Sequence, residues 1–200
     1  MAKRAVKRRG KRPAPRLAVL TDEQLNPPQR ALMEALRSGP RGKSLTIRGP
    51  FIAFLHAPAF GDLAQRLGAH CRYRTALPPR LSELAILCTG KFWRAQFEWN
   101  AHEPMAIEAG VLLRTVRDIK AGRAPAAAPK DERAIYDFVH ELYRTRRVSD
   151  RTYKKIHALL GDGGMVELVG ILGYYAMISM TLNVFQLLPP VDADLPFAER

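Results

Sequence analysis

The chain has 200 residues, 47% of them hydrophobic, and a formal net charge of +13, enough for one domain with its own core. Its two cysteines, Cys71 and Cys88, have no C-x-x-C spacing, which argues against a disulfide framework or structural zinc and fits a reducing, cytoplasmic setting. Eight Lys or Arg and no acid lie between Met1 and Arg16, so the charge sits in a tail and does not mark the body as a nucleic-acid binder.

In chain order, residues 1–16 read as a disordered basic tail. It has little to bury, could touch nucleic acid or an anionic surface, and lacks the apolar run of a secretory signal. Helix punctuation then recurs. Asn26 precedes "PPQRALMEALRSG", with proline in the first turn and Gly39 beyond the end. A second helix starts at Pro58 and carries Phe60, Leu63 and Leu67 at helical spacing. "LPPRLSELAILCTGKFW" opens on prolines and turns apolar, and "LLRTVRDIKAG" ends at Gly122. After the connector "RAPAAAPK", a helix with the stripe Ile135, Phe138, Val139 and Leu142 precedes another capped by Ser149. Asp162 is the expected cap of a long final helix. Its segment Gly170 to Leu188 has 19 residues without a charge. That approaches the length of a membrane span, but Glu167 lies one turn before it and Asn183 and Gln186 fall inside it. A helix buried on all sides, with no membrane span, is the expectation. The pattern predicts an all-α single domain.

Two places carry candidate chemistry. Glu83 lies among "LAILC", where burial would favour its protonated form, and where pairing with Arg80 one turn earlier is the structural alternative. In "AQFEWNAHEP", Glu98 and His102 stack one turn apart, so the carboxylate can fix the imidazole tautomer and leave the other nitrogen to move a proton. Trp99 can wall off solvent, and Pro104 is expected to kink or break the helix. The same spacing fits a structural ion pair, and spacing does not decide between them. His56, after "FIAFL", reads as a core residue or a pocket wall. There is no H-E-x-x-H, glycine-rich phosphate loop or G-x-S-x-G elbow.

At these residues the chain resembles the carboxymuconolactone decarboxylase family, which includes the alkylhydroperoxidase D-like proteins. The likeness runs from about Leu17 to Pro190, leaving 191–200 as a C-terminal tail. It is strongest over "LPPRLSELAILCTGKFWRAQFEWNAHEPMAIEAGV". The resemblance implies an all-helical fold assembled as a homotrimer or homohexamer. In the peroxidase branch a Glu precedes C-x-x-C-x-x-x-H by twelve residues. Here Glu83 and His102 match, while Ala95 and Glu98 stand at the cysteine positions, so no thiol relay can form there. The branch without the cysteine pair fits better. It implies cofactor-independent acid/base chemistry, without a metal, on a small carboxylate or lactone. The expected roles are His102 as proton donor, Glu98 as its orienting partner and Glu83 as a second acid/base group. Arg80 and Arg94 are the expected carboxylate clamps, with Trp99 and His56 lining the pocket.

Overall fold

The computed structural model describes residues 12–198. Among them the order is a 3-10 turn (Asp22–Gln24), then α1 (Pro27–Ser38), α2 (Pro50–Leu55), α3 (Pro58–Tyr73), α4 (Pro79–Phe92), α5 (Gln96–Glu108), α6 (Leu113–Lys120), α7 (Lys130–Thr145) and α8 (Asp150–Val184), with no strand. The all-α expectation holds. Local chemistry accounts for many of the ends. Asn26 accepts from the Gln29 backbone N–H at 3.0 Å, and the Gln29 side chain accepts from the Asn26 N–H at 2.9 Å, closing a capping box around α1. Ser149 caps α8 through the Thr152 N–H. Gly161, at φ 64°, breaks α8 one residue before Asp162, whose carboxylate meets His157 Nε2 at 3.1 Å.

Helix α4 is the centre of the bundle. It packs against α5, α6, α7 and α8, and every residue from Leu81 to Gly90 is buried. It ends in a Schellman motif: the Ala95 N–H reaches the Gly90 carbonyl at 2.9 Å, and Arg94 takes the left-handed conformation usually left to glycine. The chain thereby turns into α5 as a helical hairpin. Helix α5 ends in the same motif with Gly110 at φ 99°, which gives "EAGV" a local structural role. Pro104 does not break α5. The helix runs through it, and the Asn100 carbonyl simply lacks its usual donor.

The apolar residues on α3 do not face the core. Phe60, Leu63 and Leu67 are about half exposed or more, and the buried face is Gly61, Ala64, Gln65, Gly68, Ala69 and Cys71. Small residues win this face because their neighbours come too close for larger ones. A Cβ on Gly61 would lie 2.8 Å from that of Phe54, and one on Gly68 would overlap the Tyr174 hydroxyl. Helix α8 is long and apolar enough to cross a membrane, but half of its most apolar window is buried inside the chain, against α3, α4 and α7. Its outward face carries Gly170, Gly173 and Val166.

Arg12 and Arg16 lie against the segment after α8. The Arg12 guanidinium donates to the Pro189 and Pro190 carbonyls at 3.0 and 2.7 Å, and Arg16 donates to the Val184 carbonyl at 2.9 Å. The rest of the basic tail, residues 1–11, falls outside the described residues. Beyond residue 190, Phe197 is buried on Trp99, with ring centroids 5.4 Å apart at 72°. Gln96 holds it by accepting from its N–H at 2.9 Å and donating to its carbonyl at 2.7 Å.

Candidate active site

The α4–α5 hairpin brings Glu83, Glu98 and His102 together. His102 Nδ1 lies 2.7 Å from Glu83 Oε2, in hydrogen-bonding geometry. His102 Nε2 lies 3.0 Å from Glu98 Oε1, but out of line, so this oxygen is buried without a directed donor among the described residues. All three residues are buried, with Glu98 3% and His102 5% exposed. Tyr175 of α8 meets the imidazole edge-on, with centroids 5.1 Å apart at 84°. Burial alone would drive the His102 pKa down. The Glu98 charge, the Glu83 hydrogen bond, the close polar contact with Glu98 and the Glu83 charge outweigh it and raise the value to about 9. The ring is therefore an imidazolium at neutral pH.

Glu98 and His102 line a cavity of about 470 Å³, whereas Glu83 does not. Its wall includes Phe51, Phe97 and Tyr174. Gly49 shapes that wall: it adopts φ 55°, and a Cβ there would run into the Phe97 ring. Among the described residues, no group of three or more His, Cys, Asp or Glu is arranged to hold a metal ion.

Several expected site residues lie elsewhere. Arg80 does not pair with Glu83 and is no free clamp. It binds Asp131, and Glu132 at 2.6 Å, tying α4 to α7. Arg94 is committed to the α4–α5 turn, where its guanidinium donates to the Ala198 carbonyl and lies over the Phe197 ring. Trp99 is fully buried, but on the side of Phe197 and Lys120, and does not line the cavity. His56 is exposed, not part of the core, and its Nε2 lies 2.9 Å from the Ala18 carbonyl oxygen. The arginines that do line the cavity are Arg41, Arg48 and Arg72. Sequence reasoning passed over them because they come from α3 and the loop before α2, far from the Glu–His motif.

Neither thiol lines the cavity. Cys71 and Cys88 are both buried and free, and burial pushes the Cys88 pKa up to about 12, away from the thiolate.

No protein-family model matches the sequence, and no curated protein matches it. Among solved structures, the alkylhydroperoxidase AhpD core of an uncharacterized peroxidase-related protein from Ralstonia eutropha JMP134 superposes with a TM-score of 0.74. The match covers 91% of this chain and 95% of that one at 14% identity. With the helical hairpin that carries Glu83, Glu98 and His102, this likeness establishes that the chain has the alkylhydroperoxidase D-like fold.

Proposed function

We propose that the chain is a cofactor-independent acid/base enzyme of the carboxymuconolactone decarboxylase type, acting on a small carboxylated lactone or oxo-acid. One observation carries this reading: the buried His102 ring, held from behind by Glu83, faces a cavity beside Glu98 that arginines line. In this reading the roles expected of the two glutamates are exchanged. Glu83, outside the cavity, fixes Nδ1, and Glu98 shares the reacting side with Nε2.

In decarboxylation, the bond from the substrate carbon to its departing carboxylate breaks and its electron pair stays on carbon. A conjugated lactone carbonyl spreads that pair as a dienolate while CO2 leaves. His102 then delivers its Nε2 proton to carbon and is reprotonated from solvent, its charge supported by Glu98 and Glu83. The same groups serve an isomerisation, in which the proton removed from one carbon returns to another. A thiol peroxidase reading is weaker, since Ala95 and Glu98 occupy the cysteine positions and burial raises the pKa of both Cys71 and Cys88.

The test is CO2 release from γ-carboxymuconolactone by the purified protein without added metal. Release that falls by about 10²–10⁴-fold in His102→Gln is expected. No release by a folded protein removes this substrate, and release unaffected by His102→Gln removes the mechanism.

A further inference from the structure

We propose that Arg41, Arg48 and Arg72, together with the Tyr174 hydroxyl, form an anion-binding subsite for a carboxylate that the bound molecule keeps throughout the reaction. Its chemistry deepens the acid/base reading of the same cavity, but its binding does not depend on that reading.

The argument starts from partners. Five arginines elsewhere in the fold pair with carboxylates: Arg37 with Asp22, Arg66 with Asp62, Arg80 with Asp131 and Glu132, Arg123 with Asp118, and Arg133 with Asp137. The three that line the cavity do not. Among the described residues, Arg41 reaches the Gln65 side-chain and main-chain oxygens, at 3.4 and 3.3 Å, and the Tyr174 hydroxyl, but no carboxylate. Arg72 reaches only the Met105 thioether, a weak acceptor, at 2.6 Å. The Arg48 side chain has no hydrogen-bonding partner among the described residues. Three arginines thus line one concave surface with donor capacity left over, and guanidiniums bind planar carboxylates by paired N–H groups.

The subsite is also held in place. Arg41 lies 5.6 Å from the Phe51 ring centroid and Arg72 lies 5.1 Å from that of Tyr73, which orients each guanidinium without using up its edge. Tyr174 is 6% exposed, and its hydroxyl packs against Gly68, where a Cβ would overlap it. Burial keeps the phenol protonated, so it offers an O–H donor beside Arg41. Phe51 and Phe97 in the wall suit a flat, conjugated acid better than a phosphate ester.

Isophthalate, a planar dicarboxylate, serves as the ligand in a calorimetric titration, with its neutral dimethyl ester and inorganic phosphate as comparisons. Wild-type protein is expected to bind isophthalate more tightly than either. Arg41→Gln and Arg72→Gln should each weaken it about tenfold, with Tyr174→Phe weakening it less and Arg66→Gln leaving it unchanged. Circular dichroism of each variant separates lost binding from lost folding. The proposal is overturned if isophthalate fails to bind, binds no better than its ester, or binds folded Arg41→Gln and Arg72→Gln as well as wild type. Phosphate binding as tightly as isophthalate overturns the carboxylate assignment. Isophthalate binding without CO2 release from the lactone leaves the subsite standing and removes decarboxylation. Release unchanged in the Arg41→Gln, Arg72→Gln double variant does the reverse.

Discussion

His102 Nδ1 sits 2.7 Å from Glu83 Oε2, joining α5 to the most deeply buried helix of the bundle. This contact links residues 19 apart and orients the imidazole from the side away from the cavity. Glu98, on the same helix as His102, cannot do this alone because its oxygen lies out of line with Nε2.

The first prediction concerns the charge on His102. Nitrogen-15 NMR of the imidazole should show it titrating near pH 9. Glu83→Gln and Glu98→Gln each remove a negative charge from beside it and should move the midpoint down towards the ordinary histidine value of about 6.5. A midpoint that stays put in both variants would show that the carboxylates do not hold the proton.

The same interaction links stability to pH. The folded protein binds the His102 proton more tightly than the unfolded chain, so the stabilisation is fully present below about pH 6.5. It is lost as pH rises through about 9. Urea unfolding across that window should show a fall in wild-type stability that is much smaller in His102→Gln. Equal falls in the two proteins would place the pH dependence on other groups.

Glycines of the bundle should divide by their surroundings. Gly68→Ala drives a Cβ into the Tyr174 hydroxyl and should cost about 1–3 kcal/mol. Gly170→Ala meets nothing within 4 Å on the outward face of α8, and should stabilise the helix by about 0.5–1 kcal/mol. Thermal unfolding of both variants reads the contrast. A loss of stability in Gly170→Ala would put a packed neighbour over that face.

Phe197 should behave as a core residue despite its place near the C-terminus. Phe197→Ala removes a ring that is 4% exposed and covers Trp99, so a loss of about 3–5 kcal/mol is expected. Tryptophan emission should shift to the red as water reaches Trp99. An unchanged spectrum and midpoint would mean that the segment does not stay docked in solution.

The Cys88 thiol should resist chemistry. With its pKa pushed up to about 12 by burial, it should react with a disulfide reagent far more slowly in the folded than in the unfolded protein. Any hydroperoxide turnover by the protein should survive Cys88→Ser. Loss of such turnover in that variant would revive the thiol reading.

Most of the helices and caps, and the Glu98–His102 pair, were legible in the sequence because each rests on short-range chemistry, whereas Glu83, 19 residues from His102, joined them only through the family resemblance. Prolines open helices, Asn26 and Ser149 supply cap oxygens, Gly122 follows the end of α6, and Glu98 and His102 meet through one helical turn. Pro104 was visible as an irregularity, but α5 runs through it on an exposed face without the expected break. What only the tertiary structure decided is which groups face the cavity. Arg80 stands close to Glu83 in sequence but is claimed by Asp131, 51 positions away, while Arg41 and Arg72 reach the cavity from outside the Glu–His motif. Likewise α3 turns Leu63 outward, while Phe54 and Tyr174 press close on Gly61 and Gly68 of its inner face. Local periodicity sets where a helix begins and ends. The partner of a long charged side chain, and the face a helix buries, depend on what the rest of the chain brings against it.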